Sequence, residues 1–101
     1  MILEVAILDI KLGKVADFEA TFSEAQAIIR GMKGYVSHQL QNCLENPSRY
    51  LLLVNWETLE DHTEGFRGSS EYQRWRALLH HYYEPFPTVE HYRMVFDHAP
   101  A

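Results

Sequence analysis

The chain has 101 residues, 47% of them hydrophobic, and its nine Lys and Arg against fourteen Asp and Glu leave a net charge of −5. That length suits a single domain spanning residues 1–101 and excludes a second one. The acidic balance and scattered cations argue against nucleic acid as a partner. The lone Cys43 rules out an intrachain disulfide or a multi-thiolate metal centre, and points to a reducing, cytoplasmic location.

The opening MILEVAILDI lacks a basic leader and a small-residue cleavage site, and Glu4 and Asp9 interrupt its apolar run. It is expected to be a first strand, not a signal or membrane segment. Alternation places Leu3, Val5 and Ile7 on one face and Ile2, Ala6 and Leu8 on the other, so both faces are apolar. After a turn at Gly13, Phe18, Phe22, Ala25, Ile29 and Met32 recur at helical spacing, and Gly31 and Gly34 close that helix. Tyr35 to Leu44 alternates Val36, His38, Leu40 and Leu44 with Ser37, Gln39 and Gln41. The turn-forming ENPS then joins it as a hairpin to the strand YLLLVNW.

Thr58-Leu-Glu-Asp61 has capping-box character, with Leu59, His62 and Phe66 following at helical spacing, and Ser70-Glu-Tyr-Gln73 opens a further helix. The second helix is therefore expected to break near Gly68. Its later half carries a core stripe of Tyr72, Trp75, Leu79 and Tyr82 until Pro85 and Pro87 stop it. Thr88 to Phe96 is the last strand. The order βαββαβ predicts an α+β, ferredoxin-like antiparallel sheet with both helices on one face. The other face would then present apolar residues to water, and a second copy is the simplest cover, giving a homodimer.

Taken together, LGKVADFEATF, MKGYVSH and above all YLLLVNWETLEDH resemble the antibiotic biosynthesis monooxygenase family, whose members form a dimeric α/β barrel. The resemblance implies a pocket between sheet and helices in which dioxygen oxidises an aromatic substrate without metal or flavin. In the quinone-forming members that pocket holds an Asn, a Trp, a Tyr and an Arg. Counted without gaps from the shared Trp-Glu, Trp56 falls on the Trp, His62 on the Tyr and Arg76 on the Arg. Leu52 replaces the Asn, and neighbouring Asn55 is the alternative source of an amide. The haem-degrading branch expects an Asn in strand one, which is absent.

His62 lies where an amphipathic helix points an apolar side chain inward, so it should face the sheet. A partly buried imidazole there is a candidate general base for a phenolic proton, with Arg76 stabilising the anion and Trp56 and Tyr72 as an aromatic wall. His91 and Arg93 share a strand face and could present a donor and a cation to a phenolate or carboxylate. Purely structural readings stand beside these: a core histidine satisfied by a carbonyl for His62, a cross-strand pair for His91 and Arg93, plain core for Trp56, surface for Arg76. In LLHHYYEPFPTVEHY, His80 and His81 project about 100° apart on a helix, so no metal site is expected. His80 should lie with Gln73 and Arg76 on the wet side. The expected function is a cofactor-independent monooxygenase acting on a small phenolic or quinol-type compound. The competing expectation is a non-catalytic small-molecule-binding dimer of the same fold.

Overall fold

Strand β1 runs over Ile2–Asp9 in the structure, a computed structural model that describes residues 1–100. Helix α1 follows (Val15–Arg30), then β2 (Tyr35–Asn42) and β3 (Arg49–Trp56). A π-helical turn at Asp61–Phe66, helix α2 (Ser70–Leu79), a 3₁₀ turn at His80–Tyr82 and β4 (Val89–Arg93) complete the chain. The four strands pair antiparallel in the order β2-β3-β1-β4. The helices pack on one face of this sheet, the ferredoxin-like arrangement expected from the element order.

Strand alternation sorts the two faces. Ala6 and Leu8 of β1 and Tyr50, Leu52, Val54 and Trp56 of β3 are buried toward the helices, where Phe18, Phe22, Ala25 and Ile29 of α1 meet them. The opposite face carries Leu3, Val5, Leu51 and Leu53, half-buried, and Ile7, exposed. The central pairing is in register throughout, Ala6 opposite Leu52 and Leu8 opposite Tyr50, so the inward sets of both strands coincide.

Five local expectations are corrected. The pairing of β2 slips between Tyr35 and Ser37, so this bulge turns Val36 outward and brings Tyr35, with His38 and Leu40, to the helix side. Leu44 sits exposed in the turn beyond β2. Leu59 is exposed as well, because the first helical segment passes into a wider π turn after a single Thr58 cap, with Thr58 Oγ1 accepting from Asp61 N–H at 3.1 Å. Finally, β4 ends at Arg93, whose partner Ile2 is the first residue of β1. A strand continued to Phe96 would find no partner, and Met94, Val95 and Phe96 are exposed. The cap of α2 is Ser69, one residue before the expected Ser70, with Ser69 Oγ accepting from Tyr72 N–H at 3.1 Å. No helix among the described residues is long and apolar enough to cross a membrane.

Candidate functional site

Between the sheet and the second helical segment lies a cavity of about 460 Å³. Its floor is the inward face of β1 and β3, formed by Glu4, Ala6, Leu8 and Leu52. The π turn supplies His62, Phe66 and Arg67; α2 supplies Tyr72 and Trp75. The connector into β4 closes the far side with His80, Tyr83 and Phe86. Rings surround the space: Phe66 stands edge-on to both Tyr72 and Trp75, and His80 edge-on to Phe86. This size and lining suit a planar aromatic ligand.

The polar end of the cavity is built on Glu4. Its alternation parity sends the carboxylate inward with Ala6 and Leu8, where it is only 6% exposed. Such burial is costly unless hydrogen bonds offset it. Trp56, fully buried at the end of β3, donates from Nε1 to Glu4 Oε1 at 3.0 Å. His62 Nε2 approaches the same oxygen at 3.3 Å, and the His62 ring stacks on Trp56 with 5.4 Å between centroids. On the other side, His62 Nδ1 lies 2.8 Å from His91 Nε2. His91 reaches it because β4 sets His91 opposite Glu4 in the β1 register, on the same face of the sheet.

Burial dominates the electrostatics of this cluster. It raises the Glu4 carboxyl above its ordinary range, although the Trp56 hydrogen bond and the Arg67 charge pull the other way. It lowers His62 to about 3, helped by Arg67 and then His91. His91 is lowered by burial and Arg67, and His80 by burial and Arg76. Tyr83 is raised by burial and by neighbouring Tyr72 and Glu4. Both histidines of the cluster are therefore neutral at pH 7.

The structure brings together some of the expected residues and separates others. His62, Tyr72 and His91 belong to this site. Trp56 lies beneath His62, not in the cavity wall, and holds Glu4. Asn55 is on the helix-free face, where it donates to Ser37 Oγ at 3.1 Å, because it is out of phase with Val54 and Trp56. Arg76 is exposed on α2, away from the cavity, and Arg93 is exposed at the sheet edge. Arg67 is the cation that lines the cavity: the π turn and the Gly68 break displace the gapless count that led to Arg76. His80 faces the cavity and not the wet side, since the chain tightens into the 3₁₀ turn there and changes the angle between successive side chains. Leu52 presents an apolar surface where the family resemblance implies an amide. Glu4 was legible only as an interruption of an apolar run, although its inward parity is a signal for a functional carboxylate. Glu4, His62 and His91 lie in file, with His62 hydrogen-bonded to His91 and 3.3 Å from Glu4, and no group of three or more His, Cys, Asp or Glu among the described residues could hold a metal ion.

Comparison with known proteins gives matches over most of the chain. The family model for antibiotic biosynthesis monooxygenase matches residues 1–78. The uncharacterized protein YczJ of Bacillus subtilis (strain 168) is 62% identical over 95 residues, covering 94% of this chain and all of that protein. A crystal structure from Bordetella bronchiseptica, assigned to the antibiotic biosynthesis monooxygenases, is similar at 35% identity and a TM-score of 0.89, over 94% of this chain and 97% of that one. SnoaB, a cofactor-independent oxygenase from Streptomyces nogalater, shares the fold at 18% identity and a TM-score of 0.75, over 99% and 97% of the two chains.

Proposed function

The chain belongs to the antibiotic biosynthesis monooxygenase family, and from that premise we propose that it is a cofactor-independent monooxygenase that oxidises a small phenolic or quinol-type aromatic compound with dioxygen. The observation that carries this reading is the aromatic cavity with the buried Glu4–His62 pair at its polar end. Rings on several sides would hold a planar substrate, and the acid–imidazole pair would remove the hydroxyl proton. An anion formed there is electron-rich enough to reduce dioxygen directly. The balance is HO–Ar–H + O₂ → O=Ar=O + H₂O: one oxygen atom enters the ring, the other leaves as water, and the substrate supplies four electrons. SnoaB, named a cofactor-independent oxygenase, lends the shared fold as support.

The working unit in this reading is a cytoplasmic homodimer. Leu3, Val5, Ile7, Leu51 and Leu53 form an apolar helix-free face that suits an isologous interface burying on the order of 2,000 Å² or more. Sedimentation should give twice the 11.8 kDa chain mass. A monomer at micromolar concentration would sink this part.

Oxygen uptake with a panel of anthrone-type and hydroquinone substrates, without added cofactor, tests the chemistry. A second reading, a non-catalytic small-molecule-binding dimer, is favoured by Leu52, which leaves the cavity without the amide the resemblance implies. Stoichiometric binding of phenols with no oxygen uptake would establish that reading instead.

A further inference from the structure

We propose that Glu4 is the catalytic base of this cavity, taking the hydroxyl proton of a bound phenol on Oε2, while His62 and His91 are positioning residues that hold the carboxylate in place. The proposal rests on the reading of the cavity as a phenol-binding site and goes beyond it in assigning the proton.

Hydrogen-bond valence leads there. An indole N–H can only donate, so Glu4 Oε1 is an acceptor toward Trp56 at 3.0 Å. The neighbouring His62 Nε2 lies 3.3 Å from that oxygen, and a nitrogen facing an anionic oxygen carries the ring's proton, although the pair lacks hydrogen-bond geometry. A neutral ring protonated on Nε2 has its single lone pair on Nδ1, and that lone pair accepts from His91 Nε2 at 2.8 Å. The one lone pair of His62 is thereby engaged. A substrate in the cavity meets a ring with no lone pair to offer, and burial has in any case made that ring a weak base.

Glu4 has the opposite character. Its Oε2 accepts no hydrogen bond from any described residue, while no buried side-chain nitrogen or oxygen among them lacks a partner, so Oε2 is not sealed in. It opens onto the cavity that Glu4 lines. A carboxylate whose affinity for protons is raised by burial is a better match to a phenol than an ordinary surface acid. The charged and titratable groups facing it are His62 and Arg67 from the π turn, His91 from β4, and Tyr72, His80 and Tyr83 across the cavity.

In the step itself the phenol O–H bond breaks and its proton forms an O–H bond on Glu4 Oε2. The electron pair stays on the substrate oxygen. The cavity's net charge is unchanged, because one negative charge moves from Glu4 to the phenolate. Arg67 lines the same cavity, has no ion-pair partner among the described residues, and is available to offset that charge. The stored proton and the one lost from the ring carbon leave on the oxygen atom that departs as water.

The test measures oxygen uptake with an anthrone-type substrate, together with the absorbance of bound 4-nitrophenol, in wild type, Glu4→Gln and His62→Phe. Glu4→Gln keeps the shape and an acceptor for Trp56, and should lower kcat by about 100-fold or more and abolish the acidic limb of the pH profile. His62→Phe should lower kcat by about tenfold and keep the limb, because the proton acceptor itself is untouched. Bound 4-nitrophenol, held below its own solution pKa, should show the phenolate band in wild type with no net proton release to the medium, because Glu4 keeps the proton, whereas Glu4→Gln can form the phenolate only by releasing that proton, which a pH-indicator dye reads. If Glu4→Gln does not fold, Glu4→Asp and the wild-type probe spectrum against pH decide: the phenolate band must appear with the same pH dependence as kcat. The proposal is overturned if Glu4→Gln keeps the wild-type rate and limb, or if His62→Phe removes the limb altogether. Should wild type take up no oxygen yet ionise the probe through Glu4, the base assignment stands and the monooxygenase reading falls.

Discussion

Helix α1 and the second helical segment cover the same sheet face with opposite styles. α1 is sixteen residues of uninterrupted α-helix whose buried positions, Phe18, Phe22, Ala25 and Ile29, fall on one stripe. The second segment passes from a π turn through a break at Gly68 into the ten residues of α2 and then a 3₁₀ turn. All the helical residues of the cavity come from the irregular segment, and none from the regular one. A regular stripe presents one continuous ridge that closes against the sheet. Changes of helical pitch splay side chains instead, leaving a gap that His62, Phe66, Arg67, Tyr72 and His80 surround. π turns of this kind recur at functional sites for that reason.

The largest test of this contrast removes one ring from each segment. Phe18 is fully buried and touches Phe22, Tyr50 and Tyr82. Phe18→Ala should cost about 3–5 kcal/mol of stability, as such truncations do, while phenol binding by the folded fraction stays unchanged. Phe66→Ala should cost less, near the lower end of that range or below it, because the space it leaves joins an existing cavity; it should also weaken phenol binding. Denaturant unfolding at one fixed protein concentration, with and without the probe, separates the two. Equal loss of binding in both variants would mean that the cavity depends on overall packing and not on the irregular segment.

Acid should strike the second segment first. An unfolded histidine binds its proton below pH 6.5, whereas His62 in the folded chain waits until about 3. Between those values the unfolded state holds more protons, so stability rises with pH across that window and is lost on acidification. His38, His80 and His91 are also lowered and act in the same direction. Glu4 opposes them: raised above 4.5, it holds its proton longer in the folded state and favours folding as pH falls through that range. His62 alone is worth about 1.5 kcal/mol between pH 6.5 and pH 5, and comparing wild type with His62→Phe isolates that contribution. Thermal or urea unfolding should show wild type losing roughly that much more than His62→Phe over this interval. A parallel decline in the two proteins would contradict the burial argument.

Two glycines offer a smaller and cleaner contrast. A Cβ at Gly68 would stand 2.5 Å from the Glu64 carbonyl oxygen, a backbone atom that cannot swing aside, whereas at Gly31 the nearest contact is an ordinary 3.7 Å. Gly68→Ala should therefore destabilise by about 1–3 kcal/mol and disturb binding by shifting Arg67. Gly31→Ala should be neutral within about 0.5 kcal/mol. If Gly68→Ala is as harmless as Gly31→Ala, the turn is soft and the cavity is not rigidly framed.

What could be foreseen from sequence divides along the same line. Periodicity located α1, its four buried residues and the inward direction of His62, because each follows from a fixed number of residues per turn, and the capping signal at Ser70 located the break near Gly68. Periodicity misplaced His80, while the gapless count implied by the family resemblance brought Arg76 to the site, since both assume one pitch and this segment has three. Alternation fixed the parity of Glu4, yet a carboxylate within an apolar strand reads as an interruption until its partners Trp56 and His62, 52 and 58 positions away, are in view. The Val36 bulge and the early end of β4 depend on pairing partners, which lie outside any local window.

The two arginines give the last contrast, in binding and not in folding. Arg67 ends the π turn and lines the cavity; Arg76, nine residues on, is exposed on the regular part of α2. If the cavity holds a phenolate, Arg67→Ala should weaken its binding about tenfold, equivalent to about 1.4 kcal/mol, and Arg76→Ala by less than about twofold. Because Arg67 itself is exposed to solvent, added salt should weaken wild-type binding and narrow the gap between wild type and Arg67→Ala, since screening acts on that one interaction. A neutral aromatic of the same size supplies the control: its affinity should be indifferent to both substitutions and to salt. Should Arg76→Ala be the variant that weakens phenolate binding, the gapless count from Trp56 identified the working cation after all, and α2 must turn in solution to bring Arg76 over the cavity.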